Sequence, residues 1–498
     1  MADRSLRDWI QRIDEMGQLK RITAEVDWDL ELSAIARLLA TKAGPALLFE
    51  NIKDYHDTAC RRLFINSLTS RERVAVALGL PRETPYRGIV EFIKGRLGQR
   101  IPPVIVASGP VKQNIVRGKD VNLYEFPVPK YNHLDPGRYI NTFAGTVTMD
   151  PDTKIMNIGM YRGMIGDNEE SIAVFLNRSQ HWGVNFTRYE RRGEEMPVAV
   201  VYGGVPVFVM CAGTPIIHPD YSEYDVMGAL RGEPMELVKC ATSDLYVPAS
   251  AEIVVEGYIS PDPKTFQMEG PFGEFTGFHG GVRQPRPVIR VECITYRDDP
   301  VFQGGIEGNS PGRLSESTYW GTPARAAGIW QCLEDAGVPN VTGVWGPLVT
   351  CNINLRVQID KIYRGHAKQV AAAFWGLGGS AETGKNLIVV DKDIDIFDDD
   401  AVEWAQAYRT NADMGDIQFF KGTIGSSLDP SVPLAQRNPM KYGQGKWTRL
   451  FIDATVNWEL EPEERYGGRR EPPLCTEILP ETTELISRRW QEYGLETT

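Results

Sequence analysis

No two of the seven cysteines (Cys60, Cys211, Cys240, Cys293, Cys332, Cys351 and Cys475) are spaced as C-x-x-C. An odd, scattered set of this kind builds neither a disulfide framework nor a structural zinc site, and it suits a reducing cytosol. The opening MADRSLRDW lacks the apolar core of a secretory signal, so the expected location is cytoplasmic. Positive charge is in deficit: 54 Lys and Arg stand against 66 Asp and Glu, a net charge of −12. That balance argues against a nucleic-acid or anionic-membrane surface, while a local basic pocket for a phosphate stays compatible with it. Residues 197–217, PVAVVYGGVPVFVMCAGTPII, carry no charge and have the length of a membrane span. Their prolines, glycines and many valines predict two buried strands and a turn instead, in a protein without a membrane partner.

Several signature loops are also missing. The sequence has no G-x-x-x-x-G-K-[ST], no H-E-x-x-H and no G-x-S-x-G, which removes P-loop, zincin and nucleophile-elbow chemistry. GGIEGNSPGR (304–313) is glycine-rich but lacks the dinucleotide-binding spacing after a strand. VVDKDIDIFDDD (389–400) fails as an EF-hand, because Ile396 stands where glycine is needed and Val402 where the closing Glu is needed. Its acids are expected to end a strand and cap a helix beginning near Ala401.

What is present is a globular composition, 42% hydrophobic and 24% charged, with 48 Gly and 33 Pro spread along 498 residues. Such a chain is long enough for two or three domains and rich in short strands and turns. Leu6, Trp9, Ile10, Ile13 and Met16 fall on one helical face, with Ser5 as its N-cap. ELSAIARLLATKAG predicts a second helix and PALLFENI a strand, and the mixed α/β pattern continues to about residue 105. From 106 to 315 strand-like runs dominate, among them NTFAGTVTMD, KIMNIGMYRG, MPVAVVYGG, VPVFVMCAG, AEIVVEGYI and PVIRVECITYR, a series that suggests a barrel or sandwich. Over 316–465 helices return: TPARAAGIWQCLEDAG, VQIDKIYRGHAKQVAAAFWG and DDAVEWAQAYRT alternate with strands such as NLIVVDKDIDIF. Residues 466–498 read as a linker and one amphipathic helix, of the kind that packs on a partner subunit, so a homo-oligomer is expected.

Six places carry candidate chemistry. FQMEGPFGEFTG (266–277) sets Glu269 and Glu274 around a Gly-Pro-Phe-Gly core; a turn through Gly270–Gly273 would aim both into one cavity, or leave two solvated acids on a hairpin. Asn157 and Arg162 stand five apart in MNIGMYRG, His181 sits between Gln180 and Trp182, and GTPIIHPDYSEYD offers His218, Asp220 and Glu223. An amide oxygen, an imidazole and a carboxylate together suit Mn²⁺ or Mg²⁺. Lys385 precedes a strand and can reach a phosphate or simply be solvated. NSPGRLSESTYWGT (309–322), with Tyr319 and Trp320, reads as a loop, either beside a substrate pocket or on the surface. Paired acids alone also fit a glycoside hydrolase; a non-catalytic scaffold and a redox flavoprotein stay open as well.

Taken together, NIGMYR, QHW, YSEYDVMGALRGEP, EGPFGE and KNLIVVDKDIDIFD resemble, in order and spacing, the UbiD family of prenylated-FMN-dependent (de)carboxylases, relatives of the ferulic/cinnamic acid and protocatechuate decarboxylases. The resemblance implies an N-terminal α/β portion, a central split β-barrel that binds the flavin, and a C-terminal α/β oligomerisation domain. It implies reversible, non-oxidative decarboxylation of an aromatic, heteroaromatic or α,β-unsaturated acid through a covalent adduct with prenylated FMN, a cofactor supplied by a flavin prenyltransferase. Arg162, Glu269 and Glu274 look like the family's catalytic set, with Glu274 delivering the proton that replaces CO₂. Asn157, His181 and Glu223 look like ligands of a Mn²⁺ (or Mg²⁺) ion, with K⁺ nearby. Cofactor contacts are implied for Asn157, Ile158, Tyr161, Arg162, Gln180, His181, Thr214, Pro215, Glu223 and Lys385.

Overall fold

The computed structural model describes residues 3–214, 221–308, 310–376, 383–437 and 445–494. The first helix, Leu6–Glu15, starts where Ser5 accepts a hydrogen bond from the Asp8 N–H, and it buries Leu6, Trp9, Ile10 and Ile13. Strands Leu19–Ile22, Ala46–Phe49 and Arg62–Ile65 make a small sheet. Its fourth strand, Val301–Gln303, comes from far along the chain, so the N-terminal region is tied directly to the end of the central one.

The central sheet runs in the order Met156–Gly159, Ala144–Met149, Met196–Tyr202, Ile253–Ile259, Val288–Tyr296, Ser171–Val174, Gly163–Ile165. Its two outermost strands are thus neighbours in the chain, separated by residues 160–162 alone. Laid flat, strands spaced about 4.8 Å apart would put those edges about 29 Å from each other. The linking residues reach about 14 Å at most. The sheet therefore curls until its edges nearly meet, which is the split barrel the resemblance implies.

Residues 197–217 correct the sequence reading. The strand Met196–Tyr202 is followed by a helix, Pro206–Ala212, and not by a second strand. Pro206 opens that helix, where its fixed φ suits the first turn and its missing N–H has no partner to lose. Every residue of the helix is buried, so no polar face marks its period. Residues 215–217 lie outside the described residues.

In the C-terminal region five strands order as Val341–Trp345, Asn354–Ile359, Asn386–Asp391, Gly445–Ala454, Ile417–Gly425. VQIDKIYRGHAKQVAAAFWG is accordingly not one helix. Its first residues finish the strand Asn354–Ile359, where Leu355, Val357 and Ile359 alternate into the core, and the helix begins only at His366. Asp398 caps the helix Asp399–Arg409 as expected, accepting from the Asp400 and Ala401 N–H groups. The other acids of that stretch have separate partners: Asp393 pairs with Arg409 at 2.6 Å and Asp391 accepts from the Val456 N–H. Helix Glu316–Asp335 begins before TPARAAG, so Tyr319 and Trp320 are buried helix residues and not part of a loop. The last helix, Pro480–Arg489, buries none of its residues. Among the described residues no helix is long and apolar enough to cross a membrane.

Candidate active site

The stretch FQMEGPFGEFTG is not a tight hairpin about its Gly-Pro core. Gln267–Glu269 pairs with Gln284–Arg286, and Phe272–Gly273 pairs with His279–Gly280. Both segments find partners in the returning chain, so the reversal falls beyond Glu274: the Glu274 N–H donates to the Phe278 carbonyl, and Gly277, at a φ of 85°, donates to that of Glu274. Neither acid is solvated, since Glu269 is 0% and Glu274 5% exposed.

Two buried carboxylates require a cation. Arg162, from the link that closes the barrel, supplies it. Its Nη2 donates to Glu269 Oε2 at 3.1 Å, its Nε lies 3.0 Å from Oε1, and its Nη1 donates to Glu274 Oε1. The guanidinium carbon stands 4.4 Å from the Phe175 ring centre and 5.5 Å from that of Phe272. Burial alone would lower the Arg162 pKa, but Glu269 and Glu274 together raise it above the ordinary arginine value. Arg162 is a permanent cation held between two acids.

Asn157, His181 and Glu223 also converge. Asn157 Nδ2 donates to Glu223 Oε1 at 2.9 Å and lies 3.4 Å from His181 Nδ1, while the Ile158 N–H donates to Glu223 Oε2 at 2.8 Å. Asn157 and Ile158 come from the barrel edge, His181 from the first turn of helix His181–Arg192, and Glu223 from the first turn of Glu223–Arg231, behind a Ser222–Asp225 capping box. Burial pushes the Glu223 carboxyl up to about 8, against the opposing hydrogen bonds from Ile158 and Asn157. Desolvation holds the His181 imidazole below its usual value, in the neutral form a metal needs. Among the described residues no Lys or Arg pairs with Glu223, so a divalent ion would relieve a carboxylate that otherwise keeps its proton. A half-turn of the Asn157 amide would present its oxygen where its nitrogen now lies. The donor set therefore fits Mn²⁺ or Mg²⁺. Among the described residues no group of three or more His, Cys, Asp and Glu side chains is placed to hold a metal; this set differs in using an amide.

The remaining expected contacts divide. Tyr161 lies flat on Trp182, with ring centres 4.0 Å apart, and its hydroxyl reaches Asn157 Oδ1 at 3.4 Å. Gln180 precedes helix His181–Arg192 as its N-cap residue. Thr214 is buried and donates to the Met210 carbonyl. Beside it, a Cβ on Gly213 would lie 2.2 Å from Trp320, so that tryptophan packs against the C-terminal end of helix Pro206–Ala212. Pro215, His218 and Asp220 lie outside the described residues. Lys385 lies just before strand Asn386–Asp391, where its ammonium donates to Asp429 at 2.8 Å and Ser431 at 2.7 Å.

Two residues at the site were not singled out from sequence. The Tyr139 hydroxyl donates to Glu269 Oε1 at 2.8 Å, a contact between distant segments with no local signal. Arg286 lies 3.8 Å from Glu269 Oε2. Once Gln267–Glu269 is paired with Gln284–Arg286, position 286 is diagonal to 269, which would have placed it.

Comparison with known proteins covers almost the whole chain. Residues 104–310 match the 3-octaprenyl-4-hydroxybenzoate carboxy-lyase Rift-related domain, 318–454 its C-terminal domain and 10–93 its N-terminal domain. An uncharacterized protein of Aquifex aeolicus (strain VF5) is 33% identical over 99% of both chains. The vanillic acid decarboxylase of Sedimentibacter hydroxybenzoicus in closed form is 29% identical over 100% of both chains, with a TM-score of 0.87. The UbiD-class enzyme HmfF of Pelotomaculum thermopropionicum in complex with FMN is 30% identical over 96% of this chain and 98% of that one, with a TM-score of 0.78. An evolved dimeric form of HmfF is in complex with prFMN.

Proposed function

Because the chain belongs to the UbiD family of carboxy-lyases, we propose that it catalyses reversible, non-oxidative decarboxylation of an aromatic, heteroaromatic or α,β-unsaturated carboxylic acid on prenylated FMN. The observation that carries this reading is Arg162 held between two buried acids. Loss of CO₂ from an sp² carbon leaves a carbanion that no side chain stabilises, and prenylated FMN when bound supplies the electron sink. Arg162 binds the substrate carboxylate through the Nη1 edge that Glu274 now holds. Glu269, itself fixed by Tyr139, keeps the guanidinium turned toward the substrate. Glu274, released from Arg162, delivers the proton that replaces CO₂ and removes it in the reverse direction. The Phe175 and Phe272 rings exclude water from this exchange.

Asn157, His181 and Glu223 would hold Mn²⁺ or Mg²⁺ and through it the cofactor phosphate, with K⁺ beside it. Ile158, Tyr161, Gln180, Thr214 and Pro215 would line the flavin, and Lys385, released from Asp429, would reach the phosphate. A flavin prenyltransferase provides the cofactor. The chain divides into residues 1–105, 106–315, 316–465 and 466–498, and it assembles as a homodimer or higher homo-oligomer in the cytoplasm.

Glu274→Gln tests the reading. CO₂ release, and H/D exchange into product, should fall at least ~100-fold while bound-flavin absorbance and metal content are retained. Undiminished turnover in this variant would remove Glu274 as the proton donor.

A further inference from the structure

Arg286 is a second guanidinium in the same cluster, and hydrogen bonding does not explain it. It is 1% exposed, yet its Nε and Nη1 have no hydrogen-bond partner among the described residues. Burying an arginine this way is costly. What the residue does contribute is charge. Its guanidinium carbon lies 4.5 Å from the centre of the Phe175 ring that Arg162 also contacts, and its Nε is 3.8 Å from Glu269 Oε2. Burial lowers its pKa to about 10, which leaves it cationic at neutral pH.

The charges of the inner cluster then count simply. Among the described residues, Arg162 and Arg286 are its positive groups and Glu269 and Glu274 its negative ones, and their sum is zero. Without Arg286 the same cluster would carry −1, and a substrate carboxylate would make it more negative still, in surroundings that screen poorly. Around this cluster, Tyr139 donates to Glu269. Behind the Glu274 hairpin, Arg37 donates to the Glu307 carbonyl and to Asn132, which in turn donates to Asp135. Burial pushes the Asp135 and Glu307 carboxyls up to about 6 and about 7, and His279 stands 3.9 Å from Asp135. That outer group holds two fixed cations that act on Glu307, Arg325 and Arg37; Glu307, which also feels the charge of Glu274, is partly protonated near neutrality, whereas Asp135 is mostly ionised there.

We infer that Arg286 is a positioning residue that balances Glu269, so that a bound carboxylate can take over Arg162 while one proton passes from solvent to Glu274. This inference rests on the decarboxylase reading for the identity of the ligand. With Arg286 present, carboxylate binding would leave the inner cluster at −1, and protonation of Glu274 restores zero. With Arg286 neutralised, Glu274 holds that proton beforehand, and binding takes up none.

The test uses the 498-residue chain without cofactor and benzoate as the probe, followed by calorimetry in two buffers of different ionisation enthalpy. Wild type should bind benzoate with uptake of about one proton. Arg286→Met should weaken benzoate at least ~10-fold with uptake near zero, leave benzamide binding unchanged, and be rescued in both respects by Arg286→Lys. Should the methionine variant fail to fold, Glu274→Gln carries the test, since it must abolish the uptake in the presence of Arg286. Equal benzoate affinity and equal uptake in Arg286→Met, uptake that survives in Glu274→Gln, or no benzoate binding by wild type would each overturn the inference. Benzoate binding with proton uptake in a chain that releases CO₂ from no acid would sink the decarboxylase reading and leave the role of Arg286 standing.

Discussion

Glu316, in the first turn of helix Glu316–Asp335, is a carboxyl whose charge the fold opposes. It is 1% exposed, one oxygen accepts from the Leu68 N–H, and burial pushes its pKa from 4.5 up to about 8. The folded chain therefore keeps a proton that the unfolded chain releases, and between about pH 4.5 and pH 8 the unfolded state binds fewer protons. Stability falls as pH rises through that window. Glu316→Gln, which keeps an acceptor for Leu68, should melt a few degrees higher than wild type at pH 8 and equally at pH 4.5, as thermal unfolding at the two pH values will read. Nothing in the sequence around Glu316 announces this, because the cause is a wall of other segments. The active site is similar. The two acids of EGPFGE were legible as a pair, but as a pair they fitted glycoside hydrolysis equally well. Arg162 between them, with Tyr139 and Arg286 against Glu269, could not be read there, because those contacts join residues far apart in the chain.

Helix His181–Arg192 shows how an element places a proposed metal ligand. A Cβ on Gly183 would stand 2.0 Å from the Asn177 carbonyl oxygen and 2.7 Å from the Arg178 Cα. These are backbone atoms that cannot step aside, so the helix sits where it does because position 183 has no side chain. Gly183→Ala should push the first turn outward and carry His181 off Asn157 and Glu223. Mn²⁺ affinity, read by electron paramagnetic resonance titration, should drop at least ~10-fold with the helical circular dichroism signal preserved. Elements with one wet face were readable from their period: Ser5 and Asp398 cap the helices they were expected to cap. Fully buried elements were not, since their apolar runs carry no period, and valine content favoured strands where Pro206–Ala212 is a helix.

Across the whole molecule, the α/β, then β, then α/β order was legible because each region has its own alternation of strand and helix signals. The joints between regions were not: Val301–Gln303 completes the N-terminal sheet from beyond the barrel. At the other end of the chain, Ile478, Leu479 and Leu485 are exposed around a helix that buries nothing. Removal of residues 466–498 should lower the assembly mass in analytical ultracentrifugation by at least twofold while a chain of ordinary secondary structure survives.

Residues 160–162 close the curled sheet and include Arg162, the cation between the two buried acids, with Asn157 just before them. Mechanical closure and the proposed ligand grip thus share one seam. A flavin or metal that draws on either side of it must tighten the barrel as a whole, so occupancy and melting temperature are bound to climb together, and a single residue inserted there would slacken both.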